Sequence, residues 1–146
     1  MSGIPRIKYL ADMQNGLWKL LEIARVEALL DFHIEILKTT ITYVPLAKAL
    51  HTFSGGNDLA GWLGDIQTSD YESKKPFRSS IVIGAPTGIP GLGYFAHAKE
   101  LGCEFEDTDL GRFLFWSGQM KQLGVPLNDV SNARGAALTK NLKLAV

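Results

Sequence analysis

The segment 17–38 carries the strongest helical pattern in the chain and limits what the rest can fold into. Apolar residues recur at positions 17, 21, 24 and 28, and a second set recurs at 23, 26, 30, 34 and 37. Both spacings match the period of an α-helix and predict a helix with a broad buried face. The charged positions 27, 31, 35 and 38 form a polar stripe along it. The pair Asn15-Gly16 marks either the start of this helix or a break after a shorter helix at 7–13.

The rest of the chain predicts a mainly α fold, with an α+β fold left open. Pro45 suits the first turn of a helix that runs to about position 53. Further helical patterns cover 59–66, 94–101, 110–123 and 130–142. The β-branched run at 39–44 and the apolar run at 81–83 predict short strands. We therefore expect a compact multi-helix single domain over 1–146, with at most a small β element around 39–44 and 80–84.

Two stretches between the predicted elements are expected to be irregular. The polar stretch 67–80 is interpreted as an exposed connection, and 85–93 contains two prolines and three glycines. The stretches 99–107 and 121–129 also resemble each other, and Gly102 and Gly124 stand where a left-handed helix C-cap is preferred. Asp107 or Thr108, and Asp129 in the second copy, are the predicted N-caps of the next helices.

The segment 51–66 is the main candidate for a functional site, because it combines four glycines with a His, a Ser, a Trp and two Asp. Asn57 or Asp58 is the predicted N-cap of the helix 59–66, after a loop at 54–57. If that helix forms, Asp58, Trp62 and Asp65 share one of its faces. An aromatic neighbour can tune a carboxyl group for acid or base chemistry.

The chemistry of the side chains in this segment predicts two kinds of site residue, catalytic and ligand-binding. The predicted catalytic residues are His51, Asp58 and Asp65. The predicted ligand-binding residues are Ser54, Gly55, Gly56 and Trp62. A structural interpretation stays open beside this one, in which Asp58 is only a cap, Trp62 is a core residue and the glycines permit close packing of helices.

Part of this segment resembles a known family of hydrolases. Phe53, Gly55, Trp62 and Asp65 resemble a stretch near the oxyanion hole of class 3 lipases. The resemblance covers a short part of the chain, and Ser54 and Gly56 replace the Arg and Thr of that family. The chain has no Gly-x-Ser-x-Gly nucleophile elbow. No catalytic role is carried over from the resemblance.

A row of carboxylates on the first long helix is the other cluster of possible ligands. Glu27, Asp31 and Glu35 follow one another at four-residue spacing, with His33 nearby. Di-iron bundles add Glu-x-x-His pairs from other helices, and the chain contains none. One cysteine and three histidines give no zinc pattern. We expect a solvated stripe here, no metal site and no cofactor.

Composition narrows the class of protein. The formal net charge is zero, whereas nucleic-acid-binding domains are usually basic, so no nucleic-acid partner is expected. The single cysteine, Cys103, cannot form an intramolecular disulfide, which fits a reducing compartment. The chain has neither an apolar signal-peptide core nor a membrane-spanning run. We expect a cytoplasmic protein, or one exported without a cleavable signal.

Two functions from different classes are consistent with these features. The first is a non-catalytic interaction or assembly protein that contacts another protein, or a second copy, through Trp18, Trp116 and the cluster 113–116. It predicts an exposed apolar surface away from the glycine-rich segments. The second is a small hydrolase-like enzyme for a small-molecule substrate, with His51 as base and Asp58 or Asp65 as its partner. It predicts that 51–65 and 84–93 converge on one cavity.

Overall fold

The computed structural model describes residues 4–50 and 56–127. In chain order the elements are α1 (Ile4–Phe32), β1 (Ile41–Thr42), α2 (Tyr43–Ala49), α3 (Gly56–Glu72), β2 (Val82–Ile83), α4 (Leu92–Leu101) and α5 (Asp109–Leu123). A π-helical turn, His33–Leu37, extends α1, and a 3₁₀ turn, Arg78–Ile81, precedes β2. The predicted mainly α fold with a small β element is confirmed. The helix predicted over 130–142 lies outside the described residues.

Helix α1 buries one of its two apolar stripes. Val26, Leu30 and Ile34 are buried, and Ile23 packs against the same core. The prediction of one broad buried face is wrong for positions 17, 21, 24 and 28, because all four are exposed. The two sets lie on nearly opposite sides of the helix, and a helix packed from one side can bury only one of them.

The pair Asn15-Gly16 does not interrupt α1, which is continuous through both residues. The predicted start or break at this point is therefore wrong. A glycine inside a helix costs about 1 kcal/mol relative to alanine, which a helix of this length can tolerate. At the other end, Lys38 adopts the left-handed conformation with φ of 54° and caps the π-helical turn.

Strands β1 and β2 form a short parallel pair. Ile41 lies opposite Val82, and Thr42 lies opposite Ile83. Both strands fall inside the stretches where they are predicted, 39–44 and 80–84, although each has only two residues. Parallel strands need a long crossover connection, and here α2, α3 and the 3₁₀ turn lie along it.

Helix α3 is longer than predicted at both ends. It begins at Gly56, so Asn57 and Asp58 lie within its first turn and neither is the N-cap. It continues to Glu72, into the stretch 67–80 that is expected to be an exposed connection. Positions 71–75 of this stretch are exposed as expected. The expectation is wrong at both ends of the stretch, because four polar residues there are buried: Gln67, Asp70, Ser79 and Ser80. Each has an internal hydrogen-bond partner, which is the usual condition for burying a polar side chain.

The predicted caps of α4 and α5 are confirmed. Gly102 and Gly124 end the two helices in the left-handed conformation, with φ of 114° and 75°. The N–H of the residue after each glycine donates to the carbonyl five residues earlier, at 3.0 and 3.1 Å, as in a Schellman motif. Thr108 is the N-cap of α5, and its hydroxyl oxygen accepts a hydrogen bond from the Gly111 N–H at 3.0 Å.

The core lies where the inner side of α1 meets the other elements. Its buried members come from α1 to α5, from the 3₁₀ turn and from β2: Val26, Leu30, Leu46, Leu59, Ile66, Ile81, Val82, Phe95, Phe113, Trp116 and Met120. Trp116 is fully buried, and its indole N–H donates to the Ser80 carbonyl at 2.8 Å. Within the part of the chain that the structure describes, no helix has the length and apolarity needed to cross a membrane.

Candidate functional site

The outer side of α1 is the first candidate site. It presents an apolar row that we call the outer stripe, which consists of Leu17, Leu21, Ala24, Ala28 and Phe32. Every member is exposed, and Leu17, Leu21 and Phe32 keep 55%, 58% and 48% of their surface accessible. Spacings of three and four residues hold the row on one side of the helix. Monomeric proteins rarely expose contiguous apolar patches larger than a few hundred Å², and larger patches often mark interaction sites.

Two more large side chains widen the outer stripe. Trp18 and Leu20 lie beside it and are 58% and 65% exposed. Of the aromatic residues predicted to form a contact patch, Trp18 is therefore available. Trp116 and Phe113 are not, because both are buried in the core. The predicted patch at 113–116 is wrong for these two residues, since α5 turns both rings inward and the Trp116 indole N–H is bonded to Ser80, whereas Leu114 is exposed.

Charged residues border the outer stripe on both flanks. Arg25 pairs with Glu22 at 3.0 Å and donates to the Leu50 carbonyl at 3.2 Å. Glu27 lies two residues further along, which places it about 200° around the helix, on the other flank. On both flanks the charges are paired within the chain, Arg25 with Glu22 and Glu27 with Arg78.

The predicted carboxylate stripe is not simply solvated, because Arg78 reaches two of its members. The Arg78 guanidinium lies 3.1 Å from Glu27 and 3.4 Å from Asp31. It also lies 3.0 Å from Asp70, which is 2% exposed and accepts the Arg78 backbone N–H at 2.9 Å. Arg78 therefore ties the end of α1 to α3. Among the described residues, no group of three His, Cys, Asp or Glu side chains is placed to hold a metal ion.

A cavity of about 470 Å³ between α3 and α4 is the second candidate site. From α3 it is lined by Ala60, Leu63 and Gly64, and from the glycine-rich segment 84–93, which runs into the first turn of α4, by Pro90, Gly91 and Gly93. Parts of the two glycine-rich segments thus line one cavity. Its size falls within the range of about 300–1,000 Å³ that is typical of ligand pockets.

The polar side chains of the cavity are held by internal hydrogen bonds. Gln67 donates from Nε2 to the Tyr94 carbonyl at 3.0 Å and accepts at Oε1 from the Ser79 hydroxyl at 3.4 Å. The Tyr94 hydroxyl lies 2.6 Å from Ser80 Oγ. Burial raises the pKa of Tyr94, and it raises the pKa of Tyr43 as well, so both phenols are neutral at physiological pH.

His97 lines the cavity and contacts Thr68 and Gly64 of α3, and its Nδ1 lies 3.5 Å from a carboxylate oxygen of Glu100. Its Nε2 lies 2.8 Å from Thr68 Oγ1 and 3.1 Å from the Gly64 carbonyl oxygen. The Thr68 hydroxyl donates to the same carbonyl at 3.0 Å. The two side chains link α3 to α4.

The residues predicted for the site are only partly within the described chain. His51, Ser54 and Gly55 lie outside it. Gly56 and Asp58 belong to the first turn of α3.

The remaining two predicted site residues are described in full. Trp62 is half-buried and packs against the core, whereas Asp65 is exposed and pairs with Lys19 at 3.2 Å. Because α3 is helical throughout, positions 58, 62 and 65 share a face as expected. Neither Trp62 nor Asp65 is among the residues that line the cavity.

Sequence reasoning missed the polar residues of the cavity. Gln67 and Ser79 fall in the stretch interpreted as an exposed connection, and Tyr94 and His97 fall in a predicted helix with no motif of their own. The available signal is the glycine-rich segment 84–93, which leads into the first turn of α4, because glycines let a backbone approach other groups closely.

The chain was also compared with known proteins. It matches no protein family, no curated protein sequence and no solved structure.

Proposed function

We propose that this protein is a non-catalytic interaction protein that self-associates through the outer stripe of α1. The observation that carries the proposal is the exposure of Leu17, Leu21 and Phe32 on the side of the helix opposite its buried face. Helix formation does not require apolar residues on that side, and water contact makes them unfavourable there. Burial against a partner accounts for both their type and their spacing.

A second copy of the chain fits this surface. Ala24 and Ala28, in the middle of the stripe, permit close approach of two helices. The charges on its flanks are paired within each copy, Arg25 with Glu22 and Glu27 with Arg78, so two copies can meet while these charges keep their partners. The formal net charge is zero, so no long-range repulsion opposes association.

The apolar side chains available are sufficient in number for a specific contact. Association costs an estimated 4–15 kcal/mol in lost freedom of motion, so a few side chains alone would not hold two copies together. The outer stripe with Trp18 and Leu20 supplies seven apolar side chains per copy. Trp18 is the natural anchor, because tryptophan is enriched among residues that dominate interface energies.

Sedimentation equilibrium across a concentration series tests self-association. We expect the wild type to dimerise reversibly and Leu21→Glu to remain monomeric, because a carboxylate would then be buried in the contact. Leu114→Glu is the matched control, since Leu114 is an exposed leucine of α5, at 47%, outside the stripe. A wild type that stays monomeric at high concentration, or a Leu21→Glu variant that dimerises like the control, would contradict the proposal.

The alternative, a small hydrolase-like enzyme, is favoured by one observation: parts of 51–65 and 84–93 line one cavity. In that proposal His51 is the base and Asp58 or Asp65 its partner. On this alternative we expect the wild type to hydrolyse p-nitrophenyl acetate. The His51→Ala variant should lose this activity while it keeps its fold. Equal rates for the two proteins would rule out this role of His51.

A further inference from the structure

We propose that the cavity between α3 and α4 binds a neutral, flat ligand that carries an amide-like edge, a hydrogen-bond donor beside an acceptor. This is a binding site separate from the self-association surface, because none of its lining residues belongs to α1. The proposal rests on the charge of the cavity, on the hydrogen-bonding capacity of Gln67 and on the glycines of its wall.

The lining of the cavity favours a ligand without charge. Among the described residues that line it, none is Asp, Glu, Lys or Arg, and the imidazole of His97 is already engaged by Thr68 and the Gly64 carbonyl. An ionised ligand would lose its hydration there without gaining a counter-charge, which is strongly unfavourable. The apolar wall formed by Leu63, Val82 and Pro90, together with the two tyrosines, suits a flat hydrocarbon or aromatic body.

Gln67 supplies the polar edge. Its side chain is 2% exposed and held in place by the bonds to the Tyr94 carbonyl and the Ser79 hydroxyl. A carboxamide has two N–H donors and two acceptor lone pairs on its oxygen. These two bonds use one donor and one lone pair, so one of each is left for a ligand. A held glutamine amide recognises groups that pair a donor with an acceptor, as it does at adenine edges.

The glycines in the wall leave the cavity open. Gly64, Gly91 and Gly93 line it, and a Cβ added at any of them would meet nothing within 4 Å. None of the three has a positive φ, so the backbone does not require glycine at these positions. A side chain at any of these positions would begin in open space beside the cavity, so glycine here leaves volume that a larger residue would occupy.

Titration of ¹⁵N-labelled protein with benzamide, followed by amide chemical shifts, tests the site. Benzamide has the neutral aromatic body and the amide edge, and benzoate is its charged counterpart of the same shape. We expect benzamide to shift the amides of residues that line the cavity and to bind at least about tenfold more tightly than benzoate. Absence of benzamide-dependent shifts in these residues, or equal binding of benzoate, overturns the proposal.

Two variants locate the binding within the cavity. Gly64→Leu fills it and should abolish the benzamide shifts. Gly61→Leu is the matched control on the same helix, because Gly61 has equally open space but does not line the cavity. Gln67→Met keeps the side-chain length without the amide and should weaken benzamide binding about three- to tenfold. Wild-type affinity for benzamide in Gly64→Leu also overturns the proposal. If Gly64→Leu does not fold, wild-type affinity in Gln67→Met overturns it instead.

Discussion

Helix α1 carries two apolar stripes whose environments are opposite. The inner one, centred on Val26 and Leu30, is buried in the core, and the outer one, from Leu17 to Phe32, is exposed. The spacing of apolar residues is equally helical in both, so it identifies the helix without saying which side the protein covers. The buried inner stripe maintains the fold, whereas the exposed outer stripe is accessible to a partner.

The largest effect is expected at the boundary between the two stripes, where Arg78 binds Glu27, Asp31 and the buried Asp70. Arg78→Met should lower the free energy of unfolding by about 3–5 kcal/mol, because it leaves a buried carboxylate without its cation. Urea denaturation measures this. Lys19→Met removes an exposed ion pair with Asp65 instead and serves as the control. A loss at Arg78 no larger than that of the control would show that the network does not stabilise the fold.

One leucine from each stripe gives the most direct test of their difference. Leu30→Ala on the inner stripe should cost about 2–5 kcal/mol through lost burial and a cavity. Leu21→Ala on the outer stripe should change the stability of the monomer by less than about 0.5 kcal/mol. Thermal unfolding at low protein concentration compares them. Similar losses in the two variants would mean that the outer stripe is also part of the folded core.

The two tryptophans extend the same comparison. Trp116→Phe removes the indole N–H that donates to the Ser80 carbonyl and should cost about 1–3 kcal/mol, because a buried acceptor loses its partner. Trp18→Phe should leave the stability of the monomer unchanged, since Trp18 is exposed. Guanidinium denaturation followed by circular dichroism suits both variants. Destabilisation by Trp18→Phe in dilute protein would argue against a free Trp18.

The smallest effect is expected for Asp65, which pairs with Lys19 on the surface of the molecule. Asp65→Asn should cost less than about 1 kcal/mol, and the difference should vanish at high salt, because exposed ion pairs are weak and screened. Urea denaturation at low and high salt would measure it. An increase in stability would instead point to a carboxylate retained for function.

Local features of the fold could be predicted from the sequence. The caps at Gly102, Gly124 and Thr108 depend on residues within one turn of the helix end, and they form as expected. The positions of the two strands were predictable from β-branched and apolar runs. Burial of the polar residues after position 66 could not be predicted from the sequence, because it depends on contacts between distant residues. Gln67, for example, is bonded to Tyr94, 27 residues away in the chain.

The candidate sites, too, could be predicted only where the signal is local in the sequence. Glycine content alone predicted that 51–65 and 84–93 contribute to a functional site, and parts of both line the cavity. The side chains that give the cavity its chemistry, Gln67 and His97 above all, carry no local motif. The outer stripe was visible as periodic apolar residues, but only the packing of the other helices determined that it stays exposed.

Cysteine cross-linking of the outer stripe tests the central claim most directly. Ala24 lies near the middle of the stripe, so in a parallel or an antiparallel dimer it lies close to its counterpart. In a Cys103→Ala background, Ala24→Cys should form a disulfide-linked dimer on mild oxidation, whereas Leu114→Cys on α5 should not. Equal cross-linking at both positions, or none at position 24, would contradict self-association through this surface.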